Sequence, residues 1–106
     1  MRFCSQCGAT LSVRVPAGDN LPRHVCDACD TIHYLNPKIV AGCILEWQDR
    51  ILLCRRAIEP RYGLWTLPAG FMENGESAVA AAAREALEEA DAVAENLILY
   101  GVYSLT

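Results

Sequence analysis

No apolar run in this chain approaches the length of a membrane helix. The opening Met-Arg-Phe-Cys-Ser-Gln-Cys also lacks the apolar stretch of a signal peptide. We therefore expect a cytoplasmic protein that does not enter the membrane. Positive charge is scarce: nine Lys and Arg stand against thirteen Asp and Glu, a net charge of -4. That balance disfavours a broad electrostatic grip on nucleic acid, whose usual footprint is a basic patch, and favours small metal-chelated anions as partners. There is no internal repeat, and no low-complexity tract beyond the four alanines at 80 to 83. The 106 residues are 53% hydrophobic and 21% charged, which predicts a globular chain with room for one modest domain and a small module.

What is present begins with residues 70 to 92, where a glycine turn precedes a predicted helix over Ala78 to Ala90 with Ser77 as its N-cap. At about 3.6 residues per turn, Glu85, Glu88 and Glu89 fall within an arc of roughly 100°. Like charges so spaced destabilise a helix unless something binds them. Hard cations such as Mg²⁺ or Mn²⁺ take oxygen ligands and complete their shells with water and substrate phosphates, so this face is a candidate metal site. An acidic solvated face is the bland alternative.

Four of the six cysteines form Cys4-x2-Cys7 and Cys26-x2-Cys29, with eighteen residues between the pairs. This is the spacing of a four-thiolate Zn²⁺ site. With all four ligands supplied by protein, no coordination position is open, so the zinc is expected to be structural. Residues 1–35 then read as a zinc ribbon that depends on its metal, because so small a module cannot bury enough apolar surface to fold alone. Leu11 to Val15 alternates as a strand within it. His24 and His33 flank the second knuckle and are expected to be surface residues without a ligand role.

Asn36-Pro37 marks a boundary, since the residue before proline is pushed out of the helical region. Ile39 to Trp47 and Arg50 to Arg56 predict two strands turning at Gln48-Asp49, with Cys43 and Cys54 as cross-strand neighbours. We read those two as small buried hydrophobes, not a redox pair. Apolar residues on both faces of the hairpin predict a sheet covered on both sides. Ala57 to Leu67, with Pro60 and Gly63, predicts an irregular loop, and Asn96 to Tyr103 a further strand.

Gly70, Glu76, Arg84, Glu85, Glu88 and Glu89 fall on the fixed positions of a 23-residue pattern. The run resembles the Nudix box: Gly, five residues, Glu, seven residues, Arg-Glu, an aliphatic, any residue, Glu-Glu, any residue, Gly and an aliphatic. Ala86 and Ala92 are smaller than the usual aliphatics. Asp91 replaces the final glycine at a cap position that needs positive φ, which Asp tolerates. Asn36-Pro-Lys38, Leu52-Leu-Cys-Arg-Arg56 and Gly63-Leu-Trp-Thr-Leu-Pro-Ala-Gly70 extend the resemblance to Nudix hydrolases with an N-terminal ribbon.

The resemblance implies an α/β fold, the Nudix α/β/α sandwich around a mixed sheet, over 36–106. It also implies a C-terminal part missing from the sandwich and a homodimer. Its implied activity is metal-dependent cleavage of a nucleoside diphosphate linked to another group, with ADP-ribose or FAD as substrate and AMP released. Glu85, Glu88, Glu89 and the carbonyl of Gly70 would hold Mg²⁺ or Mn²⁺, and Glu76 would brace Arg84. Arg55, Arg56 and Arg61 are candidates to contact phosphate, and Trp65 or Tyr62 to stack on a base. The Ser-Gln-Pro-Trp-Pro type motif of NADH pyrophosphatases is absent at Val102 to Thr106, which demotes NADH. A catalytically silent Nudix-like module and a zinc-ribbon nucleic-acid adaptor are the readings from other classes.

Overall fold

The computed structural model describes residues 1–105, which cluster into two compact units: Met1–Pro37, and a second from Lys38 onward. In the first unit β1 (Leu11–Arg14), β2 (Arg23–Cys26) and β3 (Ile32–His33) form an antiparallel sheet in the order β1-β2-β3. Cys4, Val25 and Cys26 are its buried apolar residues. Three side chains are too few to offset the ordering of some thirty residues. The cysteine cluster must therefore carry the unit.

The second unit is built from short antiparallel pairs and one helix. β4 (Val40–Gly42) pairs with β9 (Ala69–Phe71), with Ala41 opposite Gly70. β5 (Glu46–Trp47) and β6 (Arg50–Ile51) close a hairpin, and β7 (Cys54–Arg55) pairs with β8 (Trp65–Thr66). The helix α1 spans Ala78–Ala90 and packs on β4 and β9. Among the described residues no helix is long and apolar enough to cross a membrane.

Local chemistry fixes both ends of α1. Ser77 is extended, and its hydroxyl accepts from the Ala80 amide at 3.0 Å, satisfying an otherwise orphaned donor. At the other end Asp91 sits at φ 51°, ψ 34°, and its amide donates to the Leu87 carbonyl at 3.0 Å. This is a left-handed cap that glycine would fill without strain and Asp fills at modest cost.

The core of this unit consists of small side chains: Ala41, Cys43, Ala81, Ala82 and Ala86, with Leu45, Met72, Ala94 and Leu97 packed against it. A buried methyl contributes on the order of 0.8 kcal/mol, so these residues stabilise the unit little by area. What they provide is a close approach of helix and sheet. The Cys43 thiol donates to the Ala82 carbonyl of α1 at 3.2 Å, and burial raises its pKa.

Four sequence expectations require correction. The hairpin turns at Gln48-Asp49, both at positive φ, but its pairing stops at the Leu52 to Leu45 hydrogen bond. Beyond that point the Cys43 amide bonds the Pro68 carbonyl and Cys54 pairs with Thr66, so the two cysteines join different ladders. Ala57 to Leu67 is not wholly irregular, because β8 lies within it. Residues 96–103 form no strand: Ile98, Leu99, Tyr100, Val102 and Tyr103 are exposed and have no strand partner among the described residues. A strand needs a neighbour for its N–H and C=O groups as well as an apolar pattern. Finally, the sheet is not covered on both faces among the described residues, since α1 reaches β4 and β9 while Trp47, Ile51 and Leu53 are exposed.

The cap predicts the effect of Ser77→Ala. It should lower stability by about 1 kcal/mol, read from urea denaturation followed by helix ellipticity; an unchanged midpoint would show that the hydroxyl does not hold the helix start.

Candidate functional site

Arg84 is the hub of the box. Its Nε donates to Glu76 Oε1 and its Nη2 to Glu76 Oε2 at 3.1 Å, a bidentate pair. Nη2 also donates to the Phe71 carbonyl at 3.1 Å, tying α1 to the end of β9. Nη1 donates to Glu85 Oε1 at 2.8 Å and to Glu88 Oε2 at 3.1 Å. The hydrogen bond from Arg84, with one from the Glu73 amide at 3.0 Å, lowers the pKa of Glu76. The same Glu76 contact raises that of Arg84, which remains a fixed cation.

Glu85 is 6% exposed and the one buried charged residue among those described. It sits on the alanine face of α1, between Ala81, Ala82 and Ala86. A Cβ added to Gly70 would overlap the Glu85 carboxylate, so only glycine at that point of β9 admits the side chain. A carboxylate pressed onto backbone offers hard oxygen donors of the kind divalent cations take. Glu88 lies one turn on and is exposed, and Glu89 is exposed without an ion pair among the described residues. The three carboxylates are not gathered within 4.8 Å as the four thiols are; Arg84 engages Glu85 and Glu88.

In the first unit the Sγ atoms of Cys4, Cys7, Cys26 and Cys29 all lie within 4.8 Å of one another. A tetrahedral zinc with Zn–S bonds of about 2.3 Å needs sulfurs about 3.8 Å apart, and the observed 3.4 Å for Cys7 to Cys26 and 3.7 Å for Cys4 to Cys29 suit it. Backbone amides support the sulfurs: Gln6 donates to Cys4 at 3.3 Å, and Ala28 and Cys29 each donate to Cys26 at 3.4 Å. Burial opposes ionisation of Cys4, yet the Gln6 amide, His33 and the Cys7 amide bring its thiol down to about 5. The Ala9 amide favours a thiolate at Cys7, but its bonds with Cys26 and Cys29 push it up to about 12. His33 is not a free surface residue: it is half-buried, with Nε2 at 3.4 Å from Cys4 Sγ. No sequence spacing signalled that contact, because it depends on the register that sets His33 on β3 opposite His24.

Of the remaining candidates, Arg55 and Arg56 line an open cavity of about 330 Å³ with Ala57, Tyr62 and Gly63. Arg61 and Trp65 do not line it, although the Trp65 ring lies 6.0 Å from the Arg55 guanidinium.

The first unit thus holds a four-thiol cluster, and the second is an α/β unit with a glycine-seated carboxylate helix. The NUDIX domain model matches residues 36–106 and the Nudix N-terminal zinc-ribbon model residues 2–35. The chain belongs to the Nudix family. The ADP-ribose pyrophosphatase of Methanocaldococcus jannaschii is 39% identical over 71 residues, covering 67% of this chain and 42% of that protein. The NAD-capped RNA hydrolase NudC of Vibrio cholerae is 37% identical over 108 residues, covering 95% of this chain and 36% of that one. A crystal structure of a NUDIX hydrolase from Nitrosomonas europaea superposes with a TM-score of 0.77 at 61% identity, covering 83% of this chain and 50% of that chain. The fold is therefore Nudix, and the chain spans half or less of each of these relatives.

The Arg84–Glu76 pair predicts an acid dependence of stability. A pKa lowered in the folded state stabilises at pH above the unfolded value of 4.5, and that contribution is lost as pH falls through the folded value. The gap in urea midpoint between the unaltered chain and Glu76→Gln should be constant above about pH 5.5 and narrow progressively as pH falls below 4.5 through the lowered folded value. A gap that persists undiminished in acid would mean that the pair's charge does not stabilise the fold.

Proposed function

We propose that this chain carries a Nudix pyrophosphatase site that hydrolyses a nucleoside diphosphate linked to another group, ADP-ribose or FAD before others, releasing AMP. The observation that carries the reading is the buried Glu85 carboxylate seated on Gly70 and tied by Arg84 to Glu76. In this reading residues 1–35 are the zinc ribbon and 36–106 the hydrolase domain, working where thiols stay reduced. Glu85, Glu88 and Glu89, with the backbone carbonyl of Gly70, hold Mg²⁺ or Mn²⁺. Such a cation, when bound, neutralises phosphate oxygens and lowers the pKa of water.

The residues themselves do the rest. Glu76 fixes Arg84, and Arg84 fixes Glu85 and Glu88 before substrate arrives, so little reorganisation is needed at reaction. Glu89 is the one carboxylate of the three that Arg84 does not engage, which leaves it to accept the proton of the attacking water. The water oxygen bonds to one phosphorus and the bridging P–O bond breaks. Its electron pair stays on the bridging oxygen of the departing phosphate, and two monoesters result.

One observation favours a second substrate. Similarity to the ADP-ribose pyrophosphatase runs over 71 residues, whereas similarity to NudC runs over 108 and so takes in ribbon and hydrolase segments together. AMP release should therefore be measured from ADP-ribose, FAD and NADH, and release of nicotinamide mononucleotide from NAD-capped RNA, whose adenylate stays on the RNA as its 5′ end, with and without Mg²⁺ or Mn²⁺. Metal-dependent release that falls by about a hundredfold or more in Glu89→Gln, with unchanged circular dichroism, is the expected result. Turnover that ignores this substitution would sink the assignment of Glu89, and metal-dependent ligand binding without any release would identify a silent module.

The ribbon gives a separate expectation. Purified chain should contain one zinc per molecule, and Cys26→Ser should lose both the zinc and the β1-β2-β3 amide protection from hydrogen exchange. Full protection in the metal-stripped chain would mean that the unit folds without the ion.

A further inference from the structure

The turn of the second knuckle returns the chain onto its own cysteines. Asp30 sits at φ 60°, its amide donates to the Cys26 carbonyl at 3.2 Å, and the Cys26 amide donates to the Thr31 carbonyl at 2.9 Å. β3 therefore starts against Cys26 and continues along β2, with Ile32 opposite Val25 and His33 opposite His24. Side chains two apart on an extended segment share a face. Thr31 and His33 are so spaced, both are half-buried, and both reach sulfur. Thr31 Oγ1 lies 3.0 Å from Cys29 Sγ, and His33 Nε2 lies 3.4 Å from Cys4 Sγ.

Metal loading fixes the direction of both contacts. A zinc-bound sulfur is a thiolate, which accepts hydrogen bonds and donates none. The Thr31 hydroxyl and the His33 ring are then the donors, so the imidazole carries a hydrogen on Nε2. Four thiolates on a doubly charged cation leave a net dianion, and an anion partly withdrawn from water needs donors. Arg14 and Arg23 do not supply them, since Arg14 pairs with Asp30 at 3.4 Å and Arg23 with Asp19 at 3.0 Å. Backbone amides of Gln6, Ala28 and Cys29 supply part. Among the described residues, Thr31 and His33 are the side chains from outside the cluster that bond its sulfurs.

We propose that β3 and the threonine before it form the outer sphere of the zinc site: His33 donates Nε2–H to the Cys4 thiolate, Thr31 donates its hydroxyl to Cys29, and these two bonds set how firmly the ribbon holds its metal. This role presupposes the zinc reading of residues 1–35. His33 serves the first knuckle and Thr31 the second, so one short segment ties together both halves of the ligand set. Outer-sphere donors orient a ligand and draw off part of its charge. With four thiolates filling a tetrahedral shell, His33 acts on a ligand and is not itself one.

The test loads the full chain with Zn²⁺ and, as an optical probe of the same site, with Co²⁺. His33→Phe keeps an aromatic ring and removes the donor, whereas His33→Gln restores an N–H donor without the ring. His33→Phe should weaken zinc by about tenfold to a hundredfold in competition with a chromophoric chelator. It should also move the sulfur-to-cobalt charge-transfer bands to longer wavelength, because a thiolate stripped of a hydrogen bond gives up its electrons more easily. His33→Gln should recover most of both effects, and Thr31→Val should weaken zinc in the same direction as His33→Phe. An affinity and spectrum in His33→Phe equal to those of the unaltered chain would overturn the donor role, as would equal losses in His33→Phe and His33→Gln. Zinc affinity unchanged in Thr31→Val would overturn the part given to the hydroxyl. Should His33→Phe fail to fold, nitrogen NMR of the zinc-loaded unaltered chain decides: a hydrogen on Nε2 of His33 is expected, and a bare Nε2 overturns the proposal. An unaltered chain that takes up neither ion would overturn the zinc reading together with this role, whereas tight zinc indifferent to His33→Phe faults the role alone.

Discussion

A carboxylate seated on a glycine ties the helix of this Nudix unit to the strand beneath it. Glu85 projects from the buried side of α1 onto Gly70, and any side chain at 70 would occupy its place. A buried carboxylate is costly without partners. Arg84 supplies one, and the arginine is held in turn by Glu76 and the Phe71 carbonyl. Helix, turn and strand are therefore joined by polar contacts on the side that carries the box carboxylates. The alanine face allows this by keeping the helix close to β4 and β9. Larger aliphatics there would stabilise the core more by area but would lift Glu85 away from Gly70.

The same constraint explains why the two units differ so much in how they are held. In the ribbon, the buried apolar residues are two cysteines and one valine, and the sulfurs carry amide hydrogen bonds suited to thiolates. Its organising feature is the cluster of four sulfurs. In the Nudix unit the organising interaction is a network of charges around a thin apolar layer. Neither unit relies on a large hydrophobic core.

Legibility in the sequence followed the range of each interaction. Ser77, Asp91 and the two cysteine pairs were readable because a cap or a knuckle is specified within a few residues. The common face of Glu85, Glu88 and Glu89 was readable from helical period, but the engagement of Glu85 and Glu88 by Arg84 was not, since it depends on where Nη1 points. The hairpin failed past Leu45 and Leu52 because Cys43 is claimed by Pro68, just before β9, and Cys54 by β8, partners that local patterning cannot rank. Asn96 to Tyr103 has the apolar composition of a strand without a strand beside it. Arg55 and Arg56 were visible as cations; their anchoring to the Gly63 and Pro60 carbonyls was not.

Charge is also sorted by element in a way that composition hides. From Glu73 to Glu89 there are five glutamates and one arginine, a surplus of four negative charges equal to the net charge of the whole chain. The remaining residues are balanced in formal charge. An excess spread evenly would serve solubility; an excess concentrated on one turn and helix raises the local potential and favours multivalent cations. Arg84 fixes the geometry of that excess without cancelling it. The arginines of the 55–61 loop, on the next strand pair, offset none of it by direct pairing and present the opposite sign. A diphosphate ester carries negative charge that the first region attracts only through a cation and the second attracts directly. Under the proposed pyrophosphatase reading, the two regions would favour a substrate bound jointly by metal and guanidinium over a simple anion, which the helix alone would repel.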